Sequence, residues 1–196
     1  MILKKANKKA IDYACKNFHY AKRVPQIIYA YNVYNDNNEW CGVIVYGGGA
    51  SRSLYKNLGL NSGELLELER VALNGKQKIT SKALALSLKL LKKENPLCKL
   101  VVSFADTRQK HVGTIYKATN WIYLGKRKIG GYEYFYNNRW VHCRTIGGLK
   151  NKKQIIENCP KRKNSDKFKY IYCFDNELKE KYKSLSLPYP TEEDLT

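Results

Sequence analysis

Methionine occurs once and phenylalanine five times in 196 residues, whereas tyrosine occurs sixteen times. Tyrosine carries apolar area together with a hydroxyl, which suits wet, stacked surfaces better than a sealed core. Acidic residues are also scarce: 17 stand against 36 lysines and arginines, for a formal charge of +19. Solubility alone does not require such an excess, which fits a polyanionic partner, although a bias toward Asn and Lys would also supply lysines. The acids that exist are segregated. Residues 76–93 contain six lysines and no acid, while 64–69 and Glu192-Glu-Asp194 hold much of the negative charge. This distribution implies a basic face with an acidic interior site.

Other absences narrow the class. Six cysteines occur at 15, 41, 98, 143, 159 and 173, with no Cys-x-x-Cys pair and no His-x-x-x-His partner. A zinc ribbon or redox dithiol is thereby disfavoured. The start, Met1-Ile-Leu-Lys-Lys-Ala-Asn-Lys-Lys, develops no apolar run, so neither a signal peptide nor a membrane span is expected. The expected setting is cytoplasmic, with reduced cysteines.

Hydropathy patterning gives an alternation of elements. Ile11, Ala14, Cys15 and Phe18 predict a helix over 6–18, ended before Pro25. Residues 26–34 and 40–46 read as a hairpin around Asn35-Asp-Asn-Asn38, and 50–61 as irregular. Residues 64–73 read as a strand with Leu66, Leu68 and Arg70 on one face and Glu67, Glu69 and Val71 on the other. The apolar arc over 80–93 predicts a helix lying on a sheet, with Thr80 or Ser81 as its cap. A central strand over 97–104 follows, then strands near 121–124, 131–136, 140–145 and 170–174. One α/β domain with a mixed central sheet is expected, residues 1–146, and a Lys/Asn-rich extension, 147–196, packing on that domain or on DNA.

Chemistry concentrates between Val101 and Gly125, where Ser103, Asp106 and His111 precede Tyr116, Asn120 and Trp121. Open α/β sheets place their sites at such strand ends. Singly, Asp106 also reads as a helix cap, His111 as a loop residue and Trp121 as core.

The order of elements resembles the GNAT acyltransferase superfamily, with Glu67-Leu-Glu-Arg-Val-Ala-Leu73 as its fourth strand and Ile115-Tyr-Lys-Ala-Thr-Asn-Trp121 as its Tyr-containing element. More specifically, His19-Tyr20, Trp40-x-Gly42, Glu69-Arg70, Phe104-Ala-Asp106 and His111-Val-Gly-Thr-Ile-Tyr-Lys-Ala-Thr-Asn-Trp121 resemble the phage Mom DNA-modification family, over about residues 10–145. That resemblance implies conversion of adenine in DNA to an N6-carbamoylmethyl (methylcarbamoyl) type of adenine, shielding DNA from restriction in a phage-infected or prophage-bearing cell. It further implies an acetyl-CoA or other acyl or aminoacyl donor, and iron. The superfamily's glycine-containing pyrophosphate loop is replaced here by Gln77-Lys-Ile-Thr-Ser-Lys-Ala83. The amides of the helix start, with Lys78, Thr80, Ser81 and Lys82, are the expected donor-binding group, although side chains hinder close backbone approach.

Two site chemistries stay open. His19, Asp106 and His111 supply two imidazoles and a carboxylate, a facial set for non-haem iron. Alternatively Glu69 acts as base and Tyr116 as acid, with Ser103 and Asp106 in the same site. Duplex DNA hides the adenine amine, so the base must be flipped or single-stranded. Tyr46, Trp121 and Tyr123 are expected to stack on it, Arg70 and Asn120 to contact it, and Lys126 and Arg127 to meet phosphate. His142 reads as structural. The alternatives are an acyltransferase acting on tRNA or another nucleic acid, and a non-catalytic nucleic-acid-binding protein on this fold.

Overall fold

The computed structural model describes residues 1–49, 55, 56 and 58–195. Much of the expected irregular segment 50–61 therefore lies outside the described residues. In chain order the elements are β1 (Ile2–Lys5), α1 (Lys8–Asn17), β2 (Tyr29–Tyr34), β3 (Trp40–Gly47), β4 (Leu65–Leu73), α2 (Thr80–Glu94), β5 (Leu100–Asp106), α3 (Thr114–Lys117) and β6 (Ile122–Arg127). They continue as β7 (Tyr132–Tyr136), β8 (Arg139–His142), α4 (Cys143–Gly147), α5 (Lys152–Asn158), β9 (Lys161–Lys163), β10 (Lys167–Cys173) and α6 (Asn176–Lys183).

Seven strands form one sheet in the order β1-β2-β3-β4-β5-β10-β6, and β8-β7-β9 form a second. The large sheet is antiparallel except at β4–β5. The 3.6-residue pattern expected for α2 covers one face: Ala83, Leu84, Leu88 and Leu91 are buried against Tyr31, Ile44, Leu66 and Leu68. On the other face, Ile11, Ala14 and Cys15 of α1 pack on Ala30, Val43, Val45 and Ala72. Tyr182 of α6 closes that side further along, against Leu100, Val102 and Ile171.

The structure draws the domain line differently from the expected division at 146. Tyr170 and Ile171 pair on one side with Ser103 and Val102 of β5, and on the other with Tyr123 and Ile122 of β6. β10 is thus an interior strand of the main sheet, built from the segment read as an extension. The part that stands apart is the insert carrying the small sheet, whose own core is Tyr134, Val141, Ile146 and Ile155.

Several boundaries shift for local reasons. The strand expected from 26 starts at Tyr29, because its partner β3 ends at Gly47, opposite Glu67 of β4. The strand expected from 97 starts at Leu100, after Pro96 and a 73% exposed Leu97. The candidate strand 140–145 stops at His142, whose Nδ1 accepts from the Arg144 amide and caps α4. Thr80 and Ser81 do not cap α2; Ile79 holds that position without a side-chain hydrogen bond.

Candidate active site

Val45 pairs with Arg70, but the next residue, Tyr46, pairs with Leu68, leaving Glu69 as the extra residue of a β-bulge in β4. A bulge re-aims side chains and shifts the pleat by one. Accordingly Leu66 and Leu68 belong to the α2-side core before it, while Val71 and Leu73 pack there after it. The simple alternation that put Arg70 with Leu66 and Leu68 therefore fails at this point. Gly47 makes room for the displaced carboxylate: a Cβ there would stand 3.0 Å from Glu69 Cγ and 2.4 Å from the Gln26 carbonyl oxygen.

A second irregularity opens the sheet beside the bulge. β4 and β5 pair in parallel only over 65–67 and 100–102, then part as β4 runs to Leu73 and β5 to Asp106. Ser103 spans the start of this gap, its hydroxyl donating to the Leu68 carbonyl at 3.1 Å. Ser103 has one hydroxyl hydrogen, so its 2.9 Å contact with Tyr116 is completed by the tyrosine donating to Ser103 Oγ. Burial, partly offset by the Ser103 bond, pushes the Tyr116 hydroxyl up. Its ring is fixed by stacking on Tyr170 at 4.4 Å. Gly113 is what permits that stack, since a Cβ there would lie 2.3 Å from Tyr170 Oη, and its φ of +74° is unfavourable for other residues.

Glu69 and Arg70 are both largely covered, with side-chain exposures of 13% and 17%. Burial pushes the Glu69 carboxyl up, and the Arg70 charge offsets part of that effect. Arg70 is held by the carbonyls of Glu69, at 2.5 Å, and Arg23, at 3.3 Å. The segment after α1 brings His19 and Tyr20 to the same place. Burial, with the charges of Arg70, His111 and Lys22, lowers His19 to about 3. Burial of the Tyr20 hydroxyl and the Asp106 charge push that group up to about 12. Pairwise contacts and charges thus link His19 to Arg70 and His111, Tyr20 to Arg70, Asp106 and Tyr116, Glu69 to Arg70, and Ser103 to Tyr116, at the mouth of the gap between β4 and β5. Tyr20 was visible in the sequence only as His19's neighbour.

Asp106 is engaged in holding the mouth's rim. Its Oδ1 accepts from the Arg108 amide at 3.0 Å and its Oδ2 from Lys167 Nζ at 2.9 Å, across the β5–β10 ladder. Burial raises this carboxyl, but hydrogen bonds from Ser165 and Lys167, the Lys167 charge and the Arg108 amide outweigh it and hold it below its ordinary value. These satisfied oxygens fit a positioning group better than a base. Lys167 was missed because nothing local links it to Asp106, 61 residues earlier.

Although His19, Asp106 and His111 lie near one another, their side chains are not arranged as an iron site. His19 Nδ1 accepts from the Ala21 amide at 3.1 Å, which places the neutral ring's proton on Nε2. Metal-bound histidines instead donate from their second nitrogen. Both Asp106 oxygens are taken, and no group of three metal-ligating side chains occurs among the described residues.

The expected base-stacking residues are also corrected. Tyr46 is fully buried with its hydroxyl 2.6 Å from Ser87 Oγ, and Trp121 and Tyr123 are 2% and 6% exposed. Trp121 packs edge-on to Tyr116, and Tyr123 packs on Phe168 and Tyr170, so their ring area supports the site from behind. Asn120 is exposed in a left-handed turn with φ of +58°. Lys126 and Arg127 are exposed at the end of β6, Lys126 donating to the Asp194 carbonyl at 3.0 Å.

At the start of α2, Lys78 adopts φ of +59°, the backbone form a glycine would provide. Gln77 donates to Thr80 Oγ1 at 2.8 Å, so the threonine hydroxyl is drawn away from capping. Uncapped first-turn amides at Thr80, Ser81 and Lys82, flanked by Lys78, fit an anionic donor group such as a pyrophosphate.

No helix among the described residues is long and apolar enough to cross a membrane. Among curated protein sequences none matches the chain. Its fold matches a variant of the spermidine N-acetyltransferase SpeG from Vibrio cholerae, with a TM-score of 0.54 at 6% identity, over 88% of this chain and 95% of that one. It also matches NAA60 from Arabidopsis thaliana in complex with a bisubstrate analogue, with a TM-score of 0.50 at 12% identity, over 88% and 97% of the two chains. The architecture is therefore that of the GNAT acetyltransferases, with β10 in the interior of the sheet. A model of the Mom protein family matches residues 1–191, nearly the whole sequence and well beyond the span legible from motifs. The chain belongs to the Mom protein family.

Proposed function

We propose that the protein modifies adenine in DNA at N6, installing a carbamoylmethyl type of group and so protecting the DNA from restriction. The observation that carries this reading is the family match across residues 1–191. The cleft supplies chemistry suited to it. Adenine N6 is a poor nucleophile because its lone pair is delocalised into the ring, so the reaction needs a positioned base. Glu69, raised by burial and re-aimed by the bulge, takes the amine proton. Tyr116 gives its proton to the departing group, and Ser103 then turns its hydroxyl from the Leu68 carbonyl to the phenolate. A donor carrying the group on an activated methylene would form the new N6–C bond as the bond from that carbon to its leaving group breaks, and the α2 start with Lys78, Thr80, Ser81 and Lys82 would hold the donor's anionic part. Asp106 with Lys167 positions the rim, and Arg70 fixes Glu69.

DNA as the substrate is supported by the net charge of +19. Mass spectrometry of nucleosides from DNA and RNA of cells producing the protein tests the reading. A heavier deoxyadenosine is expected. A heavier ribonucleoside with unchanged deoxynucleosides would move the substrate to RNA, and no heavier nucleoside in either pool would remove the enzymatic reading.

A further inference from the structure

The side chains expected to stack on a base, Tyr46, Trp121 and Tyr123, are buried in the core. Exposed stacking area occurs elsewhere, on the small β8-β7-β9 sheet. Alternation along β7 sends Tyr134 into the insert's core and Phe135 to the opposite, outer face, where Phe135 is 39% exposed. Trp140 of β8 lies directly across the ladder from Phe135, with ring centroids 5.4 Å apart. Arg162 of β9 extends over the Trp140 ring at 4.3 Å and anchors on Glu133 at 2.8 Å. Two rings and one planar guanidinium thus form a continuous outward surface.

Two further features say what this surface meets. The insert is strongly basic: residues 128–163 hold nine lysines and arginines and two acids, one of them the Glu133 that orients Arg162. The surface is also tied to the mouth of the cleft. Arg108, whose amide is capped by Asp106, bonds Glu133 through its guanidinium at 2.5 Å and the Lys163 carbonyl at 2.8 Å. One residue therefore connects the rim of the active site to the centre of the stacking face.

We infer that Phe135, Trp140 and Arg162 form a stacking platform for a base of unpaired DNA next to the adenine being modified. The inference rests on the DNA reading above and adds the strand's contact surface. Exposed rings interleaved with cations are what sequence-independent binding of single strands uses, because every base has a π-face and every linkage a phosphate. A duplex hides those faces, so the platform favours a strand already opened around the target.

The test is the binding of a fluorescent ten-nucleotide oligothymidylate, followed by anisotropy, beside an abasic strand of equal length. The native protein should bind the base-bearing strand more tightly than the abasic one. Phe135→Ala should weaken oligothymidylate binding about tenfold while leaving abasic binding and the salt slope unchanged. Arg162→Lys keeps the charge but loses the planar stack, and should fall in the same direction. Trp140→Phe keeps a ring if Phe135→Ala disturbs folding, which circular dichroism reports, and should cost less than Arg162→Lys. Equal affinity for base-bearing and abasic strands, or parental binding by both Phe135→Ala and Arg162→Lys, overturns the platform while leaving DNA modification, read by mass spectrometry, standing. A preference for oligouridylate over oligothymidylate would assign the platform to RNA and overturn it for DNA.

Discussion

Tyr116 and Phe135 are both aromatic residues beside charged neighbours, yet one is 8% exposed and the other 39%. In the cleft between β4 and β5, burial is the largest influence on Glu69, Tyr116 and His19 alike. Each group is tuned by removing water and then adjusted by one to three neighbours. At the small sheet the charges of Arg162 and Glu133, and of Arg108 reaching them from the end of β5, stay part-exposed, where individual ion pairs are worth little. In the proposed reaction, proton transfer needs shifted acidities, which desolvation supplies. Under the stacking proposal, recognition of a polyanion needs available charge and ring area, which exposure to water supplies. The two regions should therefore respond to mutation separately, one in rate and the other in affinity.

The largest effect that would test this separation is expected in the cleft. Tyr116→Phe should lower the modification rate about 10²–10⁴-fold, the usual range for a lost proton carrier, with oligonucleotide affinity unchanged. A matching loss of affinity would merge the two regions. Gly113→Ala should come next, because it drives a methyl into Tyr170 at a left-handed φ. A cost of about 1–3 kcal/mol from backbone strain is expected in denaturant melts, with activity falling as the Tyr116–Tyr170 stack shifts. Phe135→Ala should leave that stability unchanged.

The pH dependence sharpens the contrast. Glu69 works as a base only when ionised, and its acidity is shifted upward. The acid limb of the rate profile should therefore lie above the ordinary carboxylate value of 4.5, rate rising with pH, while oligonucleotide affinity stays flat there. A smaller effect concerns His19. Its folded value of about 3 lies below the ordinary 6.5, so the unfolded chain binds more protons between those limits. Stability should fall as pH drops through that window, and His19→Gln should flatten part of the slope in thermal melts.

Much of the frame was legible in the chain. The long helix appears at 80–94 against an expected 80–93, and the hairpin and the β4 strand fall within a few residues of their patterns. These elements are set by local periodicity and turn residues, which sequence displays. Glu69 and Tyr116 were legible as candidates through family motifs, and Ser103 through the polar cluster between Val101 and Gly125, yet the bulge that aims Glu69 was not, since it is a mismatch between β3 and β4. The role of Asp106 was hidden for the same reason: its partner Lys167 arrives through β10, a strand inserted from far along the chain. Trp121 and Phe135 are both aromatic in the sequence, which does not display that the first is buried and the second exposed. Their difference comes from which sheet face each occupies, and for Phe135 that depends on the insert's small core.

The central claim is that the desolvated cleft does the chemistry on DNA while other surfaces bind it. Its most direct test is the fraction of modified deoxyadenosine, by mass spectrometry, in DNA from cells producing Glu69→Gln at parental levels. Glutamine preserves the shape of Glu69 and cannot accept the amine proton. The account predicts that the heavier deoxyadenosine disappears while the purified variant binds DNA with parental affinity and salt dependence. Parental levels of modified deoxyadenosine in those cells would contradict it.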